Sequence, residues 1–246
     1  MANEVLQTIT TDTPNNSTIR LQTRATTNDA AVAYGILGTD EYGLQGESIS
    51  GWVIDIGAHI GIVCIAIALD FPDTKIVAVE AIPDNAALVQ KNVDLNGLHD
   101  RIFVESAAAT EPGLTEAPII FDYEWVGVEK GVSPVIEEGY VRDCRYIGNI
   151  FEYPEGEQRA TTLMVPALSL GAIMEKYAID EVELLKLDCE GCEYAFLRDP
   201  ARKKVRRILG EFHRGFPRIE KLLGKTHNLT VRIDRGGVGI FEANRR

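Results

Sequence analysis

The residues best suited to chemistry fall in three short blocks. The first is Val53–Gly61, read as Val-Ile-Asp-Ile-Gly-Ala-His-Ile-Gly. An apolar run carrying Asp55 breaks at Gly57, a second glycine follows at Gly61, and the helix-compatible run Ile62–Leu69 comes next. This is the pattern of a buried strand turning tightly into a helix, where an α/β sheet holds a nucleotide-like cofactor. Gly57 permits a turn closed to most side chains, and Gly61 permits close approach of a ligand or a helix. A dinucleotide loop would read Gly-x-Gly-x-x-Gly, but His59 stands at its second glycine. The spacing Asp-x-Gly-x-x-x-Gly fits S-adenosylmethionine better. Asp55, in an otherwise apolar strand, must find donors or bear a desolvation cost. It is expected to orient the loop or to meet the methionine ammonium through water, while Gly57, Ala58 and Gly61 present backbone to the methionine end.

The second block begins at Glu80, which ends the apolar run Lys75–Glu80 and lies 23 residues beyond Gly57. A carboxylate there can accept both ribose hydroxyls, each charge-assisted bond contributing about 1.5–3 kcal/mol. Ala81, directly after it, is placed with the cofactor contacts. Ser106, beside Glu105 at the end of a third strand, is placed near the adenine. The third block is Lys186–Glu193, read as Lys-Leu-Asp-Cys-Glu-Gly-Cys-Glu. Lys186, Asp188 and Glu190 alternate, so a straight strand would put them on one face. Charges at the carboxyl end of a central strand sit beside the cofactor crevice and are costly unless used. They suit proton removal, with Asp188 also near the cofactor, or an internal Lys–Asp pair that fixes the loop. His213 closes the next strand in Glu211-Phe-His213 and ordinarily titrates near neutrality, which makes it a candidate base or a structural histidine. The catalytic candidates are therefore His213, Asp188 and Glu190. Oxygen ligands such as Asp188 and Glu190 would suit Mg²⁺, but no feature requires a metal and none is expected.

These blocks need a regular alternation to position them. Asn28–Leu37 reads as a helix, Trp52–Ile56 as the first core strand and Ile60–Leu69 as a helix. Lys75–Glu80 is a strand, Asn85–Leu95 a helix entered at Pro83 and stopped by Asn96-Gly97, and Arg101–Glu105 a strand. The rhythm breaks over about 109–160, where Pro112, Pro118, Pro134 and Pro154 interrupt an acidic, aromatic stretch. We read it as a strand-rich insertion that selects the substrate. Thr161–Val165, a helix capped by Ser169, Val182–Leu187, a short helix over Glu193–Leu197, and Arg207–Phe212 follow. Leu229–Ile233 and Val238–Glu242 make a hairpin about Gly236 and Gly237. The predicted fold is α/β, a mostly parallel seven-stranded sheet finished by an antiparallel hairpin. Residues 1–50 form an N-terminal arm and helices, the first twenty loosely structured, and 51–246 form one domain carrying the insertion.

Bulk properties narrow the function classes. The 246 residues are 45% hydrophobic and 25% charged, ordinary for a globular chain. No apolar run reaches the ~18 residues of a membrane span, and the start lacks a basic region followed by an apolar core. A cytoplasmic location and no membrane partner are expected. The net charge of −12 is unevenly spread: residues 1–197 hold 11 Lys and Arg against 32 Asp and Glu, residues 198–246 hold 14 against 5. The basic cluster Arg198, Arg202, Lys203, Lys204, Arg206 and Arg207 reads as a solvated helix face offsetting an acidic body, so nucleic acid is not the expected partner. The cysteines Cys64, Cys144, Cys189 and Cys192 do not read as a disulfide framework. Cys189-Glu-Gly-Cys192 has redox-pair spacing, but it lies late in the chain and zinc would need two further ligands. They are read as incidental small side chains.

At these residues the chain resembles the FkbM family of S-adenosylmethionine-dependent methyltransferases. The family's glycine loop appears as Asp55–Gly61, and its Glu-Pro-x-Pro as Glu80-Ala-Ile-Pro83, with Ala81 in place of proline. Its Lys-x-Asp-x-Glu-Gly-x-Glu block is intact from Lys186 to Glu193 and its Glu-x-His from Glu211 to His213; Leu168-Ser169 replaces Leu-Asp. The resemblance covers about 50–108 and 160–215. It implies the class I methyltransferase fold, Rossmann-like in its sheet, and methyl transfer to a hydroxyl on a small molecule, commonly a natural product or glycan. The rival expectations are a non-catalytic S-adenosylmethionine-binding module and an NAD-dependent oxidoreductase.

Overall fold

Runs rich in Val, Ile and Leu form the central strands of the computed structural model, which describes residues 5–121, 147–148 and 161–246. The chain opens with an antiparallel hairpin, β1 (Leu6–Asp12) and β2 (Thr18–Arg24), and a helix, α1 (Asp29–Thr39). Then β3 (Gly51–Ile56), α2 (Ile62–Asp70), β4 (Thr74–Glu80), α3 (Pro83–Leu95) and β5 (Ile102–Ser106) alternate. A small four-stranded sheet follows, from β6 (Ala108–Ala109), β7 (Glu116–Phe121), β8 (Ile147–Gly148) and β9 (Thr161–Leu168). The chain returns through α4 (Leu170–Lys176), β10 (Val182–Leu187), α5 (Glu193–Phe196), a 3₁₀ turn (Pro200–Lys204) and β11 (Val205–Phe212). It closes with α6 (Phe216–Leu223) and the hairpin β12 (His227–Asp234) and β13 (Gly239–Arg245).

The main sheet has seven strands in the order β12-β13-β11-β10-β3-β4-β5. The five strands from β11 to β5 are parallel, and β13 runs antiparallel to both its neighbours. This is the sheet predicted from the sequence. The chain leaves β3 toward β5 on one side and later fills β10 and β11 on the other, so β3 and β10 flank the point where strand order reverses. Ligands of open α/β sheets bind outside the carboxyl ends of the strands at such a point.

Period-two alternation supplies a core on each face of the sheet. Ile54, Ile56, Val77, Val79, Leu185 and Leu187 pack with Ile173, Phe196 and Ile219 on one face. Val53, Ile76, Ala78 and Leu184 pack with Ile65, Val89, Ala33 and Leu37 on the other. Local signals set the helix entries: Pro83 occupies the first turn of α3, and Ser169 Oγ accepts from Ala172 N at 3.3 Å to cap α4.

Several elements depart from expectation. From residue 5 onward the expected loose arm is ordered: β1 and β2 pair along their whole length, and Ile19 and Leu21 are fully buried in the same core as Val53. Threonine and glutamine between those residues dilute the apolar signal but tolerate a strand well. The basic cluster does not form one helix face: Arg198 lies in the turn after α5 and pairs with Glu111, and the rest divides between the 3₁₀ turn and β11, where Arg206 pairs with Glu183 and Arg207 with Glu47 and Glu242. Amphipathic α6 is not among the expected elements; its Pro217 sits in the first turn, where the missing N–H is harmless. β9 joins the small sheet with β7, which borders the insertion, rather than the main sheet. The rest of the insertion, 122–146 and 149–160, lies outside the described residues, as does Cys144.

Gly57 carries the tightest steric demand in this frame. Its φ is +74°, and a Cβ there would lie 1.7 Å from the Asp188 carbonyl oxygen. Left-handed backbone costs an alanine about 1–2 kcal/mol, and overpacking against backbone adds about 1–3 kcal/mol. Gly57→Ala is therefore expected to lower unfolding free energy by roughly 3 kcal/mol in urea denaturation; a loss below 1 kcal/mol would show that the two loops can part.

Candidate active site

The site is organised by a buried ion pair where β3 meets β10. Lys186 lies opposite Asp55 in the parallel register, and its Nζ sits 3.1 Å from Asp55 Oδ1. Asp55 is fully buried and Lys186 nearly so. The pair is a charge contact without hydrogen-bond alignment, because Lys186 Nζ donates instead to the carbonyls of Gly57 at 2.9 Å and Ile56 at 3.3 Å. Burial opposes the charge on Lys186, but Asp55 and Asp188 outweigh it and raise the pKa, so the ammonium persists. Lys186 is thus the internal partner that Asp55 requires, and it ties the glycine loop to the acidic block.

The glycine loop is bound largely within the protein. The amides of Gly57 and Ala58 donate to Val79 O, that of His59 to Glu80 Oε2, and that of Gly61 to Ala58 O. Gly61 has φ +91°, and a Cβ there would meet Ile65 and Val89 at 3.1 and 3.3 Å, so its close approach is to helices. Glu80 ends β4 with both oxygens engaged: Oε2 by His59 N at 2.9 Å, Oε1 by Ile82 N at 2.9 Å and by Asn85 Nδ2 at 3.4 Å. Burial raises its pKa against the lowering effect of those donors. Ser106 is exposed at the end of β5 in register with Glu80, and Ala81 packs half-buried on the core beside it. Glu105 turns elsewhere, bonding Tyr177 and pairing with Lys176.

The N-terminal segment closes this edge, which no motif foretells. Arg24 donates from Nε to Asp29 at 2.8 Å and from Nη1 to Asn85 at 2.8 Å, and His59 Nε2 lies 3.4 Å from Asp29. Burial alone would raise Asp29, but hydrogen bonds from His59 and Arg24 and the Arg24 charge hold its carboxyl well below the usual range. Asn85 contacts both Arg24 and Glu80, so the β2–α1 corner reaches the end of β4 through one side chain.

The second half of the site is acidic. Asp188 accepts from the buried Tyr42 hydroxyl at 3.1 Å and lies 4.0 Å from Lys186 Nζ. His213 Nδ1 donates to Glu193 Oε1 at 2.8 Å, while its Nε2 lies 3.4 Å from Glu190 and 3.3 Å from Glu211. Burial would lower the pKa of His213, but its bonds to Glu193 and Glu211 and the charges of Glu193 and Glu190 overcome this and push it up to about 12. The three carboxylates around it thus favour the imidazolium form of His213, which has no lone pair to accept a proton. Glu190 is the open member, its side chain 49% exposed at a left-handed residue of φ +56°. Desolvation raises its pKa, the charge of His213 opposes the rise, and Asp188, Glu193 and Glu211 add to it. Glu41 rises by burial and by the charges of Glu211 and Asp188. Glu193, quoted in the block without a role, is the fully buried anchor of the histidine; Oε1 also accepts from Gly191 N and Cys189 N.

One expectation is overturned here. Cys189 and Cys192 are joined as a disulfide, not incidental side chains. The turn at Glu190 and Gly191, both with positive φ, brings Cα atoms three residues apart to 5.5 Å, within disulfide reach.

The residues fit S-adenosylmethionine. Asp55 Oδ2 is a buried carboxylate oxygen without a hydrogen-bond partner among the described residues, beside the loop expected to meet the methionine ammonium. Glu80 stands at the next strand end with lone pairs left for ribose hydroxyls. Asp188, Glu211 and His213 could each offer one atom to a metal, these atoms lying within 4.8 Å of one another. A cation there would first have to displace the Nε2 proton of His213, which faces Glu190 and Glu211.

Comparisons agree with the fold. A family model described as a methyltransferase FkbM domain matches residues 55–232. No curated protein sequence matches significantly. The T. thermophilus 16S rRNA N2 G1207 methyltransferase RsmC, solved with AdoMet and guanosine, is 12% identical with a TM-score of 0.50, covering 100% of this chain and 52% of that one. A methyltransferase FkbM from Methylobacillus flagellatus is 15% identical with a TM-score of 0.49, covering 82% and 45%. M. capricolum TrmK, solved with S-adenosylhomocysteine, is 12% identical with a TM-score of 0.47, covering 85% and 67%. This chain spans about half the length of the first two.

The state of His213 can be read directly. Imidazole ¹⁵N spectra should show both nitrogens protonated from pH 6 to pH 9, and Glu193→Gln should lower the pKa by about 2 units. Because the folded pKa lies above the ordinary 6.5, the stabilisation is complete below about pH 6.5 and declines as pH rises toward 12. Wild-type stability should fall between pH 7 and 9, by at most about 1.4 kcal/mol per unit; in Glu193→Gln the same decline should level off about two pH units earlier than in the wild type. A neutral imidazole at pH 7 would overturn the assignment.

Proposed function

The chain belongs to the methyltransferase FkbM domain family, and from that premise we propose that it methylates a hydroxyl oxygen on a small acceptor without phosphate charge, such as a natural product or glycan. The observation that carries the acceptor class is the crowding of Asp188, Glu190 and Glu211 about His213 at the carboxyl ends of β10 and β11, with Glu41 adding to the charge around Glu211 and Asp188. An oxygen acceptor must lose a proton, and a carboxylate with a raised pKa is suited to take it. The same field repels a polyanion and favours a neutral or cationic compound.

S-adenosylmethionine, when bound, supplies a methyl group on a sulfonium, already a good leaving group. Glu80 would hold the ribose diol, Asp55 the methionine ammonium, and Ser106 and Ala81 would flank the adenine side. The backbone at Gly57, Ala58 and Gly61 shapes the floor, and Asp188 borders both the cofactor and the acceptor. Glu190, the most open carboxylate of the group, receives the acceptor's hydroxyl proton. His213 does not take the proton; it orients Glu190 and balances the surrounding acids. Tyr42, donating to Asp188, keeps that carboxylate turned into the site. Catalysis of this kind rests on alignment and on exclusion of water more than on activation of the methyl group.

Calorimetry with S-adenosylhomocysteine tests the cofactor assignment. The wild type should bind it and not NADH, and Glu80→Ala should weaken binding at least tenfold, about 1.4 kcal/mol. Tight NADH binding without S-adenosylhomocysteine binding would instead favour an oxidoreductase. For the proton acceptor, Glu190→Gln should lower methyl transfer to a hydroxylated acceptor by about 10²–10⁴ while cofactor binding changes less than threefold. Binding without turnover on any hydroxylated compound of a broad panel would make the chain a binding module.

A further inference from the structure

We propose that Cys189 and Cys192 form a reversible thiol–disulfide site in the wall of the candidate active site, exchanging with a small thiol/disulfide couple of the glutathione class. Neither cysteine belongs to the charged pattern Lys-x-Asp-x-Glu-Gly-x-Glu; they fill two of its three open positions. Their bond encloses only Glu190 and Gly191, the two residues of this turn with left-handed backbone, at φ +56° and +115°. A ring this short removes little freedom from the unfolded chain, so its stabilising effect is small compared with that of a long-range disulfide. Its effect is local: it fixes the residue whose carboxylate stands 3.4 Å from His213 Nε2. Apart from the disulfide and the Glu190–His213 contact, the turn is held by long bonds, from Cys189 N at 3.4 Å and Gly191 N at 3.2 Å to Glu193 Oε1 and from Cys192 N at 3.4 Å to Cys189 O.

Access is one-sided. Cys192 is 2% exposed, whereas Cys189 is half-buried, so an attacking thiolate reaches the Cys189 sulfur. Attack by one glutathione thiolate there breaks the Cys189–Cys192 bond, forms a mixed disulfide on Cys189 and releases Cys192 as a thiolate. A second glutathione thiolate attacks the glutathione sulfur, yielding glutathione disulfide and the Cys189 thiolate, and both protein thiolates take protons from water. Two glutathiones lose one electron each and the protein disulfide gains two; the reverse sequence reforms the bond. Cys64, fully buried beneath the glycine loop, is shielded from this exchange. In the dithiol form Glu190 is free to leave its left-handed conformation, which a non-glycine residue holds at a cost. Reduction therefore loosens the acidic wall, and oxidation assembles it.

The full chain, equilibrated across ratios of reduced to oxidised glutathione, tests the site by peptide mass spectrometry, which separates this pair from Cys64 and Cys144. The disulfide fraction should pass smoothly from low to high, and backbone amides of residues 188–193 should exchange hydrogen at least tenfold faster in the reduced protein. The double variant Cys189→Ser/Cys192→Ser should exchange like the reduced protein in every buffer, with Cys189→Ser alone as a second open form. Disulfide at every ratio, dithiol at every ratio, or equal amide exchange in both forms would overturn the proposal. The link to the cofactor rests on the methyltransferase reading: S-adenosylhomocysteine should bind at least threefold more weakly to the reduced form. Absence of binding to both forms, with the redox-dependent exchange intact, would sink the cofactor reading alone.

Discussion

The contact on which the rest of the site depends is the buried pair of Lys186 and Asp55. Two opposite charges on neighbouring central strands are expensive to remove from water, and their attraction alone repays that only in part. Lys186 compensates by donating to the carbonyls of Ile56 and Gly57, where β3 breaks into its loop, and by approaching Asp188, where β10 ends. One ammonium therefore joins the ends of the two strands that flank the switch point. Gly57 has no side chain because the Asp188 carbonyl occupies the space a Cβ would need, so strand end and loop are also pressed together sterically. A buried pair of this sort is weak grounds for a stability role. It is better grounds for a positional one, since losing either partner strands an uncompensated charge at the crevice.

Around that pair the protein concentrates negative charge and balances it at a second cation. Glu193 is enclosed beneath the loop and grips His213 from below, leaving the other ring nitrogen toward Glu190 and Glu211. Without the imidazolium, these carboxylates would repel one another into protonation. The two cations divide the work: Lys186 orders the glycine-loop side, and His213 orders the side where Glu190 is open to solvent. A histidine fixed in its charged form steadies its neighbours but gives up proton exchange, and for that reason the proposed function assigns that role to a carboxylate.

The sheet was legible because its signals are local. Each core strand shows a compact apolar run, α3 opens on a proline and α4 on a serine cap, and the glycine loop marks the passage from β3 into α2. Asp55, Glu80, Asp188, Glu190 and His213 were legible as polar residues at the ends of such runs, where burial would otherwise penalise them. Their partners were not. That His213 is charged depends on Glu193, twenty residues away in sequence and brought beneath it only by the turn at Glu190 and Gly191. Cys189 and Cys192 have a pair's spacing in the sequence, but their bonding follows only once that turn is known, because two residues in left-handed backbone fold the segment back on itself. Threonine-rich β1 and β2 read as an arm because their apolar positions are few, although those few alternate correctly.

The N-terminal fifty residues show why motifs alone understate the site. Tyr42 and Arg24 both lie before residue 55, where the family match begins. Tyr42 covers Lys186, its ring 5.7 Å from the ammonium, and donates to Asp188. Arg24 is locked to Asp29, and Asp29 to His59, whose amide holds Glu80. The two ends of the crevice, the strand end at Glu80 and the acidic wall at Asp188, are thus each braced by a side chain from outside the matched segment. A glycine loop and its acidic partners carry the family pattern. The geometry in which they meet is braced by a hairpin, a helix and the turn after it, whose sequence carries no motif and whose hold on the crevice ends consists of a few buried polar contacts.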